Sequence, residues 1–565
     1  MASVSRRRLR LALVLALALV LGGAGAPIGE REGKRVAIIG AGVAGSATAY
    51  FLRHNGRLNL TEEDEPSNLV IDMYDASAEL QCGRVRSIDV NGKTVEVGGA
   101  VIHNSNYYAT TLAKQLGLER TLPAKMLLRY GLSPFRVNHA TLGVLHRFSE
   151  IYEQHEQGQT FEDIAEFVEM IGAVNLTNTS LRQFLINEGV GETFINEVVA
   201  GVMRVNYGQS VDVPAFVGLV SLAGGTDDIW AIEGGNWRLC EGLREASTMT
   251  LRTRHTITGL QVAPAAGPKD FRLVWTDDEG NVVSSEKYDA VVIAAGLSEA
   301  KLQLPKSVRK KVVETPYHTT VATIVQGQLR DLFDHLACDL PEVLLTTEHE
   351  DHPFSSLGRL GSLPATEEMP CPGIYKIFSS QPLGDAELDA LFATQLAEPE
   401  VRVWKAYPEY GVGQPHSAVE LMPGLVYVNA VETVASAIEV SLIGARNAAL
   451  LVGHHFLAEA EGSYHAAAAA TATTAEDEVP VEEAEAAKEP EAAEVEDQVA
   501  AAQVSNDEQE AGHDAAHERA KYTEASNKEQ HTKVSPEHKK AKPKRAASTE
   551  APPKSKKRTS QHTEL

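Results

Sequence analysis

Apolar runs separated by turns and polar segments occur along residues 30–456, and the first of them predict an α/β fold. Residues 36–39 are all apolar, as expected of a buried parallel strand. A glycine-rich turn follows, and residues 44–53 have the pattern of a helix that packs back onto the sheet. A second apolar run, residues 69–74, predicts the next parallel strand.

Later runs extend this pattern. Residues 251–262 alternate like a strand, and residues 271–276 are predicted to pair with them. Residues 288–296 form an apolar run that ends in small residues, which predicts a buried strand. Residues 424–429 are strand-like, and residues 436–453 have the pattern of a helix.

The first turn carries G-x-G-x-x-G as Gly40, Gly42 and Gly45. Gly40 permits the tight turn, Gly42 lets the backbone approach a pyrophosphate, and Gly45 lets the helix pack closely on the strand. Backbone N–H groups at the start of the helix, around Ala44, favour an anion because the helix dipole is positive there. The pattern predicts a Rossmann-type dinucleotide site.

The second predicted strand ends at Asp75, whose carboxylate is a candidate acceptor for the ribose hydroxyls. The usual spacing from the last glycine is about 20 residues, and here it is longer. Residues 55–68 are polar and explain the excess as a surface insertion, because loops tolerate added length at little entropic cost.

The two ends of the chain differ from the part between them. Residues 1–26 have a basic start, an apolar run and small residues, which predicts a secretory signal peptide cleaved near Ala24 or Ala26. An uncleaved anchor is the alternative, although the run falls short of the roughly 20 residues that span a bilayer. No later segment predicts a transmembrane helix. Residues 459–565 are rich in Ala, Glu and Lys and predict a low-complexity, disordered tail.

Three sequons, at Asn59, Asn175 and Asn178, fit passage through the secretory pathway. The lysine-rich end of the tail is either a nuclear or nucleic-acid signal or a solvated charged segment. A net charge of −25 disfavours general binding of nucleic acid by the whole chain.

Four cysteines are too few for a disulfide scaffold in a chain of this length: Cys82, Cys240, Cys338 and Cys371. They form no C-x-x-C, so we expect no metal site and no redox pair. A disulfide between Cys338 and Cys371 is possible, but the pairing cannot be deduced from the sequence.

Two further motifs favour FAD over NAD as the dinucleotide. Gly83 and Arg84, after Cys82, resemble the G-G-R step that follows the ribose-binding acid in one large flavoprotein class, where the arginine donates to the pyrophosphate. Cys82 stands where that pattern has its first glycine. A glycine pair, Gly98 and Gly99, permits close approach by a flat ring system.

Five segments occur in an order that resembles the prenylcysteine oxidase (farnesylcysteine lyase) family. They are VAIIGAGVAGSATAYFLR, VGGAVIHNSN, RVNYGQS, IEGGNWRLCEGL and NAVETVASAIEVSLIGARNAALL. The resemblance covers about residues 36–455. It implies a lysosomal or vacuolar FAD-dependent thioether oxidase that degrades S-farnesyl- or S-geranylgeranyl-cysteine.

The resemblance also implies a reaction course. The carbon that bears sulfur gives a hydride to flavin N5, and water adds to the resulting thiocarbenium ion. The hemithioacetal collapses to prenyl aldehyde and free cysteine, and O₂ reoxidises the flavin with formation of hydrogen peroxide. Because sulfur and the allylic system both stabilise the cation, the protein mainly has to position the reacting carbon.

In flavoproteins of this class the closing helix directs its N-terminus at the flavin ring, which implies that Glu432, Ser436 and Ala437 are neighbours of the ring. His103 is either a residue that orients water or contacts the flavin, or one that satisfies loop backbone groups. Asn206 and Tyr207 either line the substrate cavity or form a turn.

Substrate recognition is expected to be mainly apolar, since a prenyl chain has no hydrogen-bonding group. Residues 216–222 and 194–205 are candidates to line its tunnel, or they belong to the core. Arg204 is a candidate partner for the substrate carboxylate.

The sequence therefore predicts a glutathione-reductase-like, Rossmann-type FAD domain with a second substrate lobe and a disordered C-terminal tail. The FAD domain comprises residues 33–110, 230–300 and 420–456, and the substrate lobe comprises 111–229 and 301–419. The predicted partners are a prenylcysteine and O₂, and the oligomeric state is not predicted. Another FAD oxidase, such as an amine oxidase, and a non-catalytic flavin-binding protein are the alternatives.

Overall fold

A computed structural model of the chain describes residues 33–58, 60, 66–121, 133–224, 229–262, 270–277, 279–330, 338, 343–347 and 352–475. They belong to one compact unit, Met1–Val479. The predicted signal peptide (residues 1–26), the sequon at Asn59 and the tail beyond residue 475 lie outside the described residues.

The strands, in chain order, are β1 Arg35–Ile39, β2 Val70–Tyr74, β3 Ser87–Val90, β4 Lys93–Glu96, β5 Ile102–His103, β6 Arg120–Thr121, β7 Ile229–Ile232, β8 Thr250–Arg252, β9 Ile257–Val262, β10 Phe271–Thr276, β11 Val282–Ser284, β12 Ala290–Ile293, β13 Tyr317–Leu329, β14 Val343–Leu345, β15 Ser356–Ser362, β16 Gly373–Ser379, β17 Phe392–Gln395, β18 Glu400–Pro408, β19 Glu420–Met422 and β20 Leu425–Tyr427.

The α-helices, in chain order, are α1 Val43–Arg53, α2 Tyr107–Gln115, α3 Ser133–Glu156, α4 Ile164–Met170, α5 Val174–Thr177, α6 Leu181–Asn187, α7 Glu192–Phe194, α8 Ala200–Asn206, α9 Ala215–Ala223, α10 Arg238–Ser247, α11 Leu297–Ala300, α12 Lys306–Arg309, α13 Asp385–Leu391 and α14 Ile438–Ala475. A π-helical turn, Ile195–Val199, joins α7 to α8, and a 3₁₀ segment, Val428–Thr433, follows β20.

The central sheet confirms the predicted Rossmann-type fold. Its strand order is β19-β20-β12-β1-β2-β8, and every neighbouring pair except β19 and β20 is parallel. Gly40, Asp75 and Ala294 follow β1, β2 and β12, so the carboxyl ends of these strands bring them to one edge. That edge is where open α/β sheets bind nucleotides.

The interpretation of residues 251–262 as one strand was wrong. β8 joins the central sheet beside β2, whereas β9 pairs with β10 in a separate antiparallel sheet of three strands. The break occurs where Arg254 adopts a left-handed conformation with φ of 57°. There the Arg254 N–H donates to Ser77 O, and the His255 N–H donates to Asp75 O. The loop after β2 therefore supplies the hydrogen bonds that end the strand.

The remaining strands form antiparallel sheets. The largest has the order β14-β15-β16-β13-β17, with β18 also paired to β13, and the two smaller sheets are β3-β4 and β5-β7-β6. The long strand β13 pairs with β16, β17 and β18 along its 13 residues.

The largest hydrophobic core lies between the central sheet and the helices. It takes in β1, β12, α1 and α14 and continues into α3, α4 and α9. Smaller clusters lie within the large antiparallel sheet and between that sheet and the β3-β4 hairpin. The division into an FAD domain and a substrate lobe stays a prediction.

The closing helix differs from its prediction at both ends. α14 begins at Ile438, two residues after the predicted start, and continues to Ala475, past the predicted start of the tail at residue 459. Glu459 forms an ion pair with Lys34 Nζ at 3.1 Å, and the alanine-rich sequence that follows has high helix propensity. Within the described part of the chain, no helix has both the length and the apolar character needed to cross a membrane.

Candidate functional site

The glycine turn after β1 has the geometry of a dinucleotide turn. Gly40 has a φ of 105°, its N–H donates to Tyr74 O at 2.7 Å, and a Cβ there would lie 2.6 Å from Ala294 O. A Cβ at Gly45 would collide with Gly40 O. No side chain caps the start of α1, where Ala44 lies in the first turn. Gly40 and Gly45 are therefore required by close backbone packing, and the helix N-terminus is available to an anion.

Asp75 lies directly against this turn. Its Oδ2 accepts from the Ala41 N–H at 2.8 Å, and its Oδ1 accepts from the Ser77 N–H at 2.8 Å. A carboxylate has about four acceptor positions, so two remain for other donors. Its role at the ribose stays a prediction that this geometry allows.

The loop that carries Gly83 faces the glycine turn. A Cβ at Gly83, whose φ is 59°, would lie 3.4 Å from Gly42 Cα. Cys82, next to it, forms a disulfide with Cys240 of α10, with a Cα–Cα distance of 5.5 Å. This disulfide explains why the sequence has cysteine where the flavoprotein pattern has glycine. The second disulfide, Cys338–Cys371, is the pairing considered possible from the sequence.

An ion pair joins this loop to the C-terminal segment. Arg84 pairs through Nη2 with Glu432, whose carboxylate also accepts from Tyr317 Oη at 2.9 Å and from Asn429 Nδ2 at 2.6 Å. Burial lowers the pKa of Arg84, but the charge and hydrogen bond of Glu432 together with the nearby tyrosines outweigh it, and the pKa lies above its ordinary value. Arg84 Nη1 donates to Ala406 O at 2.8 Å, so its proposed contact with a pyrophosphate depends on its remaining N–H groups.

The glycine pair lies beside the start of α14. A Cβ at Gly98 would collide with Arg84 O, and the Gly99 N–H donates to the same oxygen at 3.0 Å. A Cβ at Gly99 would lie 3.0 Å from Val85 and 3.8 Å from Ile438 Cδ1. The predicted pyrophosphate loops and the predicted ring segment are thus joined through consecutive contacts.

Tyr207 reaches the same segment. Its hydroxyl donates to Ser436 O at 2.8 Å, just before Ala437, and its ring packs edge-on against Tyr407 and Tyr410. Burial raises the pKa of Tyr207, so the phenol stays neutral. Of the candidate catalytic residues, Tyr207 is the one that the structure brings to the closing segment.

Asn206 and Arg204 make other contacts. Asn206 Nδ2 donates to Ser221 O of α9 at 2.9 Å, and Arg204 Nη2 donates to Thr346 Oγ1 at 3.1 Å. Neither hydrogen bond reaches the path between the glycine turn and α14, and the proposed roles of both side chains stay predictions.

His103 is buried at the end of β5. Its ring Nδ1 accepts from the Ser105 N–H at 3.0 Å, and its backbone N–H donates to Asn106 Oδ1 at 2.7 Å. These bonds support the alternative in which His103 organises the loop before α2. A role in orienting water stays a prediction.

A small cavity lies next to the closing segment. It has a volume of about 210 Å³ and contacts Val168, Pro214, Val217, Thr433 and Val434. Val217 belongs to residues 216–222, one of the two stretches predicted as candidates for a prenyl tunnel. The lining surface is mainly apolar and also includes polar residues such as Glu169, Asn178, Gln414 and His416, a mixture that is common for ligand pockets.

A buried carboxyl group behind this segment has no counterpart in the sequence prediction. Glu439, in the first turn of α14, accepts hydrogen bonds from the Tyr108 and Ala109 N–H groups at 2.8 and 2.9 Å and from Tyr152 Oη at 2.7 Å. Burial raises the pKa of Glu439 to about 7 against these three bonds, which lower it. The carboxyl thereby caps the start of α2 and fixes it to α14.

We expect Glu439 to make the protein less stable as pH rises toward neutrality. Its pKa is higher in the folded chain than the ordinary 4.5, so its stabilising proton is present at low pH and is lost as pH rises through about 7. The free energy of unfolding of the wild type, minus that of Glu439→Gln, should fall by up to about 3 kcal/mol as pH rises from below 4.5 to above about 7. Urea unfolding at several pH values measures the difference, in which the buried histidines cancel. A difference that does not vary with pH would contradict this account.

Comparisons with known proteins identify the chains to which this one is similar. Residues 121–463 match the family described as prenylcysteine lyase, and residues 38–116 match an NAD(P)-binding Rossmann-like domain. Prenylcysteine oxidase 1 of Mus musculus is 31% identical over 473 residues, which is 75% of this chain and 89% of that protein. Farnesylcysteine lyase of Arabidopsis thaliana is 28% identical over 466 residues, 75% of this chain and 88% of that protein. Among solved structures, a triple mutant of putrescine oxidase has a TM-score of 0.46 at 14% identity. The match covers 74% of this chain and 98% of the putrescine oxidase chain.

Proposed function

Since the chain belongs to the prenylcysteine lyase family, we propose that it is an FAD-dependent oxidase of S-farnesyl- and S-geranylgeranyl-cysteine. The overall reaction converts a prenylcysteine, water and O₂ into a prenyl aldehyde, cysteine and hydrogen peroxide. Similar proteins bear the names prenylcysteine oxidase 1 and farnesylcysteine lyase. The alternative of a different FAD oxidase has no comparable support from the family match.

One observation carries the proposal: a continuous series of contacts runs from the glycine turn to α14. Gly42 faces Gly83, the next residue Arg84 pairs with Glu432, and Gly99 lies beside Ile438. A dinucleotide with a flat ring at its far end needs sites for diphosphate and ring that are connected in this way.

The residues fit FAD. Gly42 and Gly83 leave no side chain between the two loops, and the start of α1 has no side-chain cap. Gly98 and Gly99 allow backbone to approach a flat ring, and the N-terminus of α14 places a positive dipole end beside them. When bound, FAD supplies the hydride acceptor for the carbon that bears sulfur.

The tyrosine side chains beside the closing segment act by positioning the substrate, and they stay uncharged. The phenols of Tyr207, Tyr407 and Tyr410 have pKa values raised by burial, so they stay neutral and present edges and hydroxyl donors. Because sulfur and the allylic system stabilise the developing cation, hydride loss requires no strong base. We propose that these three tyrosines, which pack together beside Ser436, mainly exclude water and orient the thioether.

We propose that the cavity beside Val217 and Val434 takes part of the prenyl chain. It adjoins Thr433, which follows Glu432 directly, so an apolar chain there lies close to the closing segment. Each buried methylene contributes about 0.8 kcal/mol, and an isoprenoid gains most of its affinity in this way.

We also propose that the chain enters the secretory pathway and acts in a lysosome or vacuole. The sequon residue Asn175 is exposed on α5 and suits a glycan, whereas Asn178, also exposed, lines the cavity proposed for the prenyl chain. Cys82–Cys240 and Cys338–Cys371 are disulfides, which persist in oxidising compartments. Loss of mass on treatment with an N-glycosidase tests the passage of the chain through the secretory pathway.

Product analysis tests the proposed reaction. The purified, FAD-loaded protein is given S-farnesylcysteine in air, and hydrogen peroxide, free cysteine, farnesal and ammonia are measured. We expect peroxide, cysteine and aldehyde in equal amounts and no ammonia. Ammonia in place of cysteine identifies an amine oxidase, and a flavin-loaded protein that yields no peroxide is a non-catalytic binder.

A further inference from the structure

Helix α10 and the turn before it contact three parts of the candidate cofactor site: the glycine turn, the Gly83 loop and the Gly98–Gly99 pair. Cys240 and Arg244 are four residues apart on α10 and so lie on the same side of that helix, and Asn236 lies in the turn just before it. We call these three residues the α10 face. Asn236 and Cys240 fall within the segment IEGGNWRLCEGL, whereas Arg244 lies just outside it and belongs to no motif.

Arg244 ties the glycine turn to the loop after β2. Its Nη1 donates to Ala41 O at 3.1 Å and to Gln81 O at 2.9 Å, and it lies 3.4 Å from Ser46 Oγ. Ala41 stands between Gly40 and Gly42, and Gln81 precedes Cys82. One guanidinium group therefore sets the separation between the two loops that face each other across the predicted diphosphate position.

Cys240 and Asn236 make the contacts with the Gly83 loop and with the glycine pair. Cys240 forms the disulfide with Cys82, the residue before Gly83. Asn236 Nδ2 donates to Gly99 O at 3.0 Å, while its Oδ1 accepts from the Ile232 N–H at 2.8 Å. The glycine pair and the Gly83 loop are thus fixed to the same short element.

The far end of α10 is also anchored. Arg53, the last residue of α1, donates through Nε to Ser247 O at 2.8 Å and through Nη2 to Thr248 O at 3.1 Å. Since α1 carries the glycine turn at its other end, α10 cannot shift along α1 without breaking contacts at both ends.

We infer that the α10 face is a positioning element for the dinucleotide, which holds the glycine turn, the Gly83 loop and the Gly98–Gly99 pair at the spacing that binding requires. The inference rests on the proposed binding of FAD. It assigns Asn236, Cys240 and Arg244 no contact with the reacting atoms, and their removal is expected to act on cofactor affinity.

Arg244 and Arg238 give a matched pair of variants. Arg238 lies on the same helix, but its Nη1 donates to Glu233 O, away from the loops. The dissociation constant for FAD is measured by titrating apoprotein and following flavin fluorescence. We expect Arg244→Gln to raise it at least about tenfold, Arg244→Lys to restore part of the loss, and Arg238→Gln to leave it within about twofold.

The two disulfides give a second matched pair. Cys82→Ser with Cys240→Ser removes the link to the Gly83 loop, whereas Cys338→Ser with Cys371→Ser removes a disulfide elsewhere in the chain. Both are expected to lower the melting temperature of the apoprotein. Only the first is expected to weaken FAD binding by about tenfold or more and to change the flavin absorbance spectrum of the loaded protein.

The outcomes separate this inference from the proposed function. Wild-type protein that binds FAD, together with Arg244→Gln and the Cys82/Cys240 double variant that bind it equally well, overturns the inference alone. If one of these variants does not fold, the other decides. Wild-type protein that takes up no FAD overturns the proposed function and the inference with it.

Discussion

Gly45→Ala is expected to leave the protein without bound FAD and to lower its free energy of unfolding by about 2–4 kcal/mol. The added methyl group would collide with the Gly40 carbonyl oxygen, which is backbone and cannot rotate away. Relief requires α1 to move off β1, and that movement opens the turn on which the diphosphate is proposed to rest. Flavin content after purification and urea unfolding measure the two effects.

Gly143→Ala is the control for this substitution. Gly143 also lies in a helix, α3, and a Cβ there meets no atom within 4 Å. The same chemical change should therefore be neutral or stabilise by up to about 1 kcal/mol, since alanine favours helix over glycine. Equal effects at the two positions would contradict the packing account of Gly45.

Glu432→Gln is expected to cost about 2–3 kcal/mol of stability and to reduce FAD uptake. The substitution keeps the shape of the side chain but leaves the Arg84 charge without its partner in a mostly buried setting, where breaking a pair is costly. Glu432 itself is nearly inaccessible, whereas Arg84 keeps partial access to water, which limits the loss. The glutamine also accepts less strongly from Tyr317 and Asn429. Thermal unfolding of the apoprotein and FAD titration measure the two effects.

Glu314→Gln provides the comparison for the ion pair. Glu314 lies 3.7 Å from Arg309, and both side chains are more than 70% exposed. Exposed pairs contribute about 0–1 kcal/mol, so this variant should unfold and bind FAD like the wild type. A loss at Glu314 as large as that at Glu432 would mean that charge alone, without burial, accounts for the result.

The local elements of the cofactor site could be predicted from the sequence because each depends on neighbouring residues. A strand, a glycine turn and a helix follow one another in residues 35–53, and Asp75 directly follows the next strand. Residues 271–276 were predicted to pair with residues 251–262, and the structure shows this pairing for the second half of that segment, as β10 with β9. In all these cases the period of the apolar positions and the turn residues determine the structure.

The contacts that assemble the site could not be predicted in this way, because they join residues far apart in the chain. Cys82 and Cys240 are 158 residues apart, and Arg84 and Glu432 are 348 apart. An even number of cysteines allows a Cys82–Cys240 disulfide but does not indicate it. Arg244 belongs to no motif, since its partners are backbone carbonyl oxygens that any sequence provides.

The same reasoning explains the errors. Residues 251–262 were interpreted as one alternating strand although residues 252–256 are all polar. The turn at Arg254 is fixed by hydrogen bonds that the Arg254 and His255 N–H groups donate to the loop after β2, which the apolar pattern does not register. Likewise, α14 extends beyond residue 459, where Glu459 pairs with the distant Lys34 and an alanine-rich sequence of high helix propensity follows. Composition alone placed the boundary of the tail too early.

The central claim is that this chain oxidises the thioether of a prenylcysteine with a bound flavin. Anaerobic mixing of the purified, FAD-loaded protein with S-farnesylcysteine, followed by the flavin absorbance band, tests it most directly. The account predicts that the band bleaches when substrate is added and returns on admission of air. A protein that holds FAD but keeps its full absorbance with S-farnesylcysteine, or one that is colourless and takes up no added FAD, would contradict the claim.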